Sequence, residues 1–376
     1  MNVSNNFRWV RLGDYIDRSM VNNRDLKYGV ELIEGVNSSG EFCSPKANTV
    51  GINLKPYKVV QNGYFVYNPS RLNIGSLAYR TDGLCIVSHL YVVFHLNDLG
   101  REKLLPEFLF IYFKRKEFLR LIDYLNFGSQ RPEFNFFEMS EIQIPLPDID
   151  TQQELVNTYN GLKALAEQNE ALIEPLTQAC QAYIVDCKKK YPEVELGEYI
   201  EELDERNSDG KCTLDDVKGI SILKKLIPTK ADMKDVSLSP YKLLKPNDFS
   251  YVTVTSRNGG KISLAINDSD KTYIVSSSYK VFRSKNAKEL LPEFLFLLIS
   301  KDEFDRYSRF NSWGSARETF DWIELCRVRI PLPPPEVQQS IVNLYNCAEE
   351  AKKIANKARK KMKTLCPALV QKAING

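Results

Sequence analysis

Leu104-Leu105-Pro106-Glu107-Phe108-Leu109-Phe110 recurs, residue for residue, as Leu290-Leu291-Pro292-Glu293-Phe294-Leu295-Phe296. Both copies run on in register at a constant step of 186, from Pro106 to Pro292. The same step carries Gly128 to Gly314, Ser129 to Ser315 and Arg131 to Arg317. It carries Ile144-Pro145-Leu146-Pro147 to Ile330-Pro331-Leu332-Pro333, and Gln152-Gln153 to Gln338-Gln339. A match without gaps over some fifty positions is much longer than a solenoid unit and reads as a duplicated domain.

The repeat extends upstream. Residues 9–16, WVRLGDYI, answer residues 193–200, EVELGEYI, at a step of 184. Lys55-Pro56-Tyr57-Lys58 answers Ser239-Pro240-Tyr241-Lys242 at that step, and Ser88, Tyr91 and Phe94 answer Ser276, Tyr279 and Phe282 at 188. The drift places short insertions in loops on a shared scaffold. The chain therefore divides into residues 1–150, 151–190, 191–335 and 336–376: domain, helix, domain, helix.

At 376 residues there is room for two cores. A hydrophobic content of 43% with 26% charged residues is that of a soluble globular protein. Absence of a membrane-length apolar run or a signal-peptide core, and eight cysteines without a CxxC, suggest a reduced, cytoplasmic chain. The cysteines then serve as packing residues, for example Cys85, Cys180, Cys326 and Cys347. Net charge is only +3, and its excess lies in residues 336–376, with 8 Lys/Arg against 3 Asp/Glu. A nucleic-acid function must rest on local patches rather than a basic tail.

Residues 57–65, 84–94 and 273–282 are rich in Val, Ile, Tyr and Phe and read as strands, with turns at Asn62-Gly63 and Asn258-Gly259-Gly260. Residues 107–125 and 293–310 have helical spacing. Each half is thus an α+β, strand-rich domain ending in a helix and an extended IPLP exit. Two long helices follow. Asp150-Thr151 suits the cap of the first. In the second, Val337, Ile341, Leu344, Ala348, Ala351, Ala355, Ala358, Met362, Leu365 and Leu369 alternate steps of four and three. The matching row in the first is Thr151, Leu155, Thr158, Leu162, Leu165, Asn169, Leu172, Leu176, Ala179 and Tyr183. Such seams predict a coiled coil, with the alanines demanding a close partner. The alternative is that each helix packs only on its own domain. Pro175 and Pro367 should kink or interrupt the helices, and the lysines at 352, 353, 357, 360, 361 and 363 lie off the seam.

No P-loop, HExxH or GxSxG is present. His89 and His95 sit in or beside an apolar strand and read as packing residues. Asn68-Pro69-Ser70-Arg71 is partly like the Asn-Pro-Pro-aromatic motif of amino-group methyltransferases. It lacks the second proline and the aromatic, no glycine-rich loop precedes it, and it reads as a turn. The residues point to a non-catalytic chain. They leave open a DNA-reading subunit of a larger enzyme, a stand-alone DNA-binding protein, or a coiled-coil scaffold.

The doubled order of variable domain, PEFLF helix, G-S-x-R loop, IPLP step and Gln-Gln helix resembles the specificity subunits of type I restriction-modification enzymes, over essentially the whole chain. That resemblance implies two target-recognition domains, each reading one half of a split, asymmetric site in double-stranded DNA. It implies an antiparallel coiled coil that spaces the domains and docks two methyltransferase subunits, which bind the S-adenosylmethionine; this chain binds no cofactor. A restriction and translocation subunit then joins, and no membrane is involved. A straight forty-residue helix would span about 60 Å, and sites one turn apart need about 34 Å.

The repeat also sorts residues by task. Positions identical in both copies suit a common task such as gripping phosphate, and those that differ are free to read different bases. Arg71 with Arg257 and Arg131 with Arg317 match, which assigns them to phosphate or shared groove contact; pairing with carboxylates inside each domain is the alternative. Gln130 against Ala316, and Asn73 against Asn258 and Lys261, differ and are candidates for base readout. Leu155, Leu162, Leu165, Ala348, Ala351 and Ala355 are the seam residues expected to build the docking surface for partner subunits.

Overall fold

The computed structural model describes residues 8–45, 48–49, 51–125, 133–256, 259–314 and 317–375, with side chains of the last helix described as far as Thr364. The chain forms two compact units, Met1–Asn169 with Lys353–Gly376, and Glu170–Lys352.

Each unit contains the same antiparallel sheets. In the first, a four-stranded sheet runs in the order Ile16–Arg18, Val92–Leu96, Phe65–Tyr67, Leu77–Tyr79. In the second, the order is Ile200–Leu203, Tyr279–Ser284, Phe249–Val252, Leu264–Ile266. These short strands are largely apolar and bury aromatic rings in register. Phe65 stacks on Phe94 at 5.0 Å between centroids, and Phe249 on Phe282 at 4.9 Å. Full burial of such rings stabilises each core by roughly 2–3 kcal/mol apiece. Tyr67 and Tyr251, at a step of 184, are fully buried, and their hydroxyls lack a hydrogen-bond partner among the described residues.

The long expected strands are interrupted. Lys58–Val60 and Phe65–Tyr67 belong to different sheets, as do Cys85–Val87 and Val92–Leu96. The turn at Gly63, with φ +84°, lets the chain leave one sheet for the other. The expected 107–125 helix is likewise two, Pro106–Phe113 and Lys116–Leu125, as is its counterpart, Pro292–Ile299 and Asp302–Phe310. Pro106–Phe113 buries most of its circumference, whereas Lys116–Leu125 buries only Phe118 and Ile122. One straight rod cannot meet both demands.

The repeated motifs meet at a buried glutamine. Gln152 accepts from the Leu105 amide (2.8 Å) and donates to the carbonyls of Lys103 and Pro147 (2.9 Å each). Gln338 accepts from Leu291 (2.9 Å) and donates to Glu289 and Pro333 (2.8 Å each). One side chain thus ties the start of the PEFLF helix, the IPLP exit and the long helix, and satisfies backbone groups that burial would otherwise orphan. The IPLP strand is further held by the domain's first strand, with Trp9 opposite Pro145 and Val194 opposite Ile330.

The long helices are Ile149–Lys190 and Pro335–Asn375. Both remain helical through their prolines, so the interruption does not occur. Pro175 and Ala171, whose carbonyl loses its partner, are exposed, so water can take the place of the missing amide. The cap of the first helix is Asp148, not Asp150 or Thr151: its carboxylate accepts from the Thr151 amide at 2.7 Å. The two helices pack together antiparallel. The second half of the first shares a unit with the beginning of the second, where the Cys180 thiol donates to the Ile341 carbonyl, 3.9 Å away. The alanine seam is as read, with Ala348, Ala351, Ala355 and Ala358 buried. The seam of the first helix is offset by one residue over most of its length. Ala166, Cys180, Ile184 and Cys187 are buried, while Leu165, Leu172 and Tyr183 are 42%, 51% and 55% exposed. Two smaller readings also change, since Cys347 and His89 are exposed rather than packed.

Candidate nucleic-acid interface

Of the arginines singled out by the repeat, Arg71 in the first unit and Arg317 in the second lie within the described residues, each at one corner of its unit. In the first, Asn68-Pro69-Ser70-Arg71 is the start of a 3-10 helix, Pro69–Ile74, and not a bare turn. Asn68 caps it by accepting from the Ser70 amide at 3.1 Å. That helix packs on Lys116–Leu125, where the Asn73 amide donates to Asp123 at 2.8 Å. The Phe134 amide donates to the Pro69 carbonyl at 3.1 Å, bringing the exit of the G-S-x-R loop to the same place. Arg71 is exposed here.

The corresponding corner of the second unit is built by the 253–256 segment, which bridges to 318–320. Thr255 donates its amide to the Glu318 carbonyl (3.0 Å), and Phe320 donates to Thr253 (2.8 Å). The Thr255 hydroxyl lies 2.9 Å from the Ser312 hydroxyl, just past the helix Asp302–Phe310. Gly314 has φ +140°, and a Cβ there would fall 2.3 Å from the Arg317 carbonyl oxygen. The glycine of the G-S-x-R loop is therefore required by a close backbone approach. Arg317 is exposed beside it, and no described acid pairs with it.

Gln130, Arg131, Arg257 and Asn258 lie outside the described residues, as does Ala316. Lys261 is exposed, 3.7 Å from Asp302. Asn73 is half-buried with its amide nitrogen committed to Asp123. Of the seam residues, Leu155 is buried in the first unit's core, Ala348, Ala351 and Ala355 are buried on the seam, Leu162 is half-buried, and Leu165 is open.

Nearby ionic contacts differ between the units. In the second, Lys224 is buried against Asp305 and donates to the Ile262 carbonyl at 2.7 Å, and burial pushes its pKa down. Asp305 also accepts from the Ile262 amide at 3.1 Å. In the first, the matching hairpin position is Gly40. Among the described residues no group of His, Cys, Asp and Glu is placed to hold a metal, and no helix is long and apolar enough to cross a membrane.

A doubled fold with a doubled, arginine-bearing corner has a counterpart among known proteins. The sequence model of the family described as "Type I restriction modification DNA specificity domain" matches residues 7–178 and 220–356. The chain belongs to that family. A curated member, the type I restriction enzyme HindI specificity subunit of Haemophilus influenzae, is 27% identical over 143 residues, which is 37% of this chain and 30% of that protein. The aligned part is thus under a third of that relative's length. The solved type I restriction-modification system S subunit from M. genitalium has the same fold, with TM-score 0.62 at 12% identity over 99% of this chain and 97% of that one. The HsdS subunit from Thermoanaerobacter tengcongensis aligns over 100% of this chain and 98% of its own, with TM-score 0.47 and 18% identity.

Within this specificity-domain fold, reading by sequence missed two groups. The buried glutamines are polar and adjacent to a second, solvent-facing glutamine, so nothing in composition marks them as a clamp. Arg120 and Arg306 were overlooked although they stand at the same step of 186 as the motif residues.

Proposed function

We propose that this chain is the DNA-reading subunit of a type I restriction-modification complex, with each half reading one part of a bipartite, asymmetric site. Residues 1–150 and 191–335 are the two target-recognition domains, and residues 151–190 and 336–376 are the helices that join them. The observation that carries this reading is the doubled corner. Arg71 in the first unit and Arg317 in the second stand exposed on matching scaffolds, and the sequences of the adjoining loops differ between the copies. Matched guanidiniums suit the phosphate backbone, which is the same for every sequence. Arg71, Arg131, Arg257 and Arg317 take that role. Gln130 in one half, and Asn258 and Lys261 in the other, have the donors and acceptors that major-groove edges require. Asn73 would read through its amide oxygen.

On this reading the chain performs no chemistry. Two methyltransferase subunits dock on the paired helices and carry the S-adenosylmethionine, and a restriction and translocation subunit completes the assembly. The exposed Leu165, Leu172 and Tyr183 on the first helix offer apolar surface for such docking, while the buried alanines hold the helix pair beneath it.

Co-expression with candidate methyltransferase subunits, followed by mapping of methylated adenines, tests the proposal. A motif of two short parts with an unspecified gap is expected, and methylation should vanish when this chain is omitted. A single continuous motif, or methylation that does not need the chain, would overturn it.

A further inference from the structure

The helix that precedes each G-S-x-R loop turns an arginine and an aromatic ring away from its own core. In Lys116–Leu125 these are Arg120 and Tyr124; in Asp302–Phe310 they are Arg306 and Phe310, each at the step of 186. The buried Phe118 and Ile122, or Phe304 and Ser308, occupy the opposite face; Asp305 is buried as well. Residues four apart stack on one side of a helix, so each guanidinium stands one turn below its ring.

We propose that these two pairs form a DNA contact common to both halves, the guanidinium on a phosphate and the ring against the adjoining deoxyribose, independent of base sequence. The inference rests on the DNA-reading function proposed above. Tyr124 is 77% exposed and Phe310 80%, the highest values among the large apolar side chains described, so a ligand that covers them gains the burial of a whole ring. Neither Arg120 nor Arg306 has an ion-pair partner among the described residues. Neighbouring arginines do: Arg115 pairs with Glu117, and Arg309 with Glu318. Next to Arg306, Asp305 is buried against Lys224, and Glu303, whose carboxylate also senses the Arg306 charge, bonds Lys188 at 2.9 Å. Between the two copies Lys116 becomes Asp302 and Asp123 becomes Arg309, while the exposed Glu117 is kept as Glu303 together with the cation and the ring. Each pair stands on the helix that meets the segment carrying Arg71 or Arg317, and in each unit two exposed arginines outside any described ion pair suit a polyanion.

The test titrates salt against binding of the full chain to a forty-base-pair duplex of mixed sequence. Arg120→Ala and Arg306→Ala should each reduce the slope of log affinity against log salt by about 0.9, the signature of one lost phosphate contact. Arg120→Lys should restore it. Tyr124→Ala and Phe310→Ala should weaken binding roughly fivefold or more at every salt concentration with the slope unchanged. Circular dichroism should show all variants folded, since every altered side chain is exposed. If the parent chain binds the duplex and the variants bind with the same slope and affinity, the inference is wrong and the DNA-reading function stands. Variants that keep parental DNA binding but fail to capture a co-expressed methyltransferase subunit would assign the face to that protein and overturn the inference. A parent chain that does not retain duplex at all would overturn both.

Discussion

The two units solve the same structural problem at the hairpin tip in different ways. In the first, Gly40 adopts φ +72°, and a Cβ there would sit 2.5 Å from the Leu77 carbonyl oxygen. In the second, Lys224 adopts φ +60° at the equivalent place and buries its ammonium against Asp305. The backbone shape is common to both; the chemistry that holds it is not. By contrast, Gln152 and Gln338 make the same hydrogen bonds to equivalent groups. The duplication has preserved the joint between domain and long helix to the atom, and has left the periphery free to vary. The function proposed above, two different reading surfaces on one frame, would need this division.

The strongest test of that comparison is at the joint. Gln152→Leu keeps the volume but orphans the Leu105 amide and the carbonyls of Lys103 and Pro147. At 1–3 kcal/mol for each of the three unsatisfied groups, the loss should be about 3–9 kcal/mol. Gln338→Leu should cost the same in the second unit. Hydrogen exchange resolved by segment would measure both. A large loss in one unit and none in the other would break the equivalence of the two joints.

The hairpin tips should respond unequally. Lys224→Met leaves Asp305 buried without its cation and should cost about 3–5 kcal/mol. Adding Asp305→Leu should recover much of that, though not the hydrogen bond from the Ile262 amide. Urea titrations of the single and double variants provide the check. If Lys224→Met were as mild as an ordinary surface change, the buried pair would not be what holds the second hairpin.

The scaffold was legible in the sequence because its anchors are rigid residues at fixed spacing: the prolines of PEFLF and IPLP, the glycine of the G-S-x-R loop, and the glutamine pair. The alanine seam was legible because, between Ala348 and Ala358, every residue off the seam except Ile354 is polar. The first long helix misleads because it carries apolar residues on two adjacent stripes. Leucine marks the stripe that faces solvent at 165 and 172, and the buried stripe is made partly of Ala166, Cys180 and Cys187. A count of leucines therefore selects the wrong phase. Strand breaks and the split of the PEFLF helix depend on which sheet or layer a residue reaches, which is tertiary information. The candidate reading residues emerge from comparing the copies, and among them the place of Asn73 is set only where residues 69–74 meet the end of the helix Lys116–Leu125.

Readout should be as separable as the scaffold is shared. Gln130→Ala should relax recognition at one or two base pairs of one half-site, costing roughly 1–3 kcal/mol there, with the other half-site unchanged. Exchanging residues 1–147 with 191–335 should swap the order of the two half-sites. Methylome sequencing of cells carrying each form would show this. A change in both half-sites from Gln130→Ala alone would mean that the halves do not read independently.

The smallest expected effect separates the starts of the two long helices. The first is capped by Asp148, whose carboxylate accepts from Thr151, and that hydrogen bond holds its pKa below the ordinary carboxylate range. At the same step of 186 the second helix has Pro334. The helix opens there with Pro335, whose missing amide needs no acceptor, and the Val337 amide bonds the Pro334 carbonyl at 2.9 Å. A carboxyl that ionises more readily in the folded chain than in the unfolded one stabilises fully above its unfolded pKa. That contribution is lost as pH falls through the lower, folded value. Asp148→Ala should therefore cost about 1 kcal/mol at neutral pH and almost nothing in strong acid. Exchange of the Thr151 amide, corrected for its intrinsic rate, should quicken on acidification in the parent protein, while that of Val337 should not, because its acceptor does not titrate. Equal acid sensitivity at both amides would show that the two helix starts are held alike, and that the carboxylate at 148 adds nothing the prolines lack.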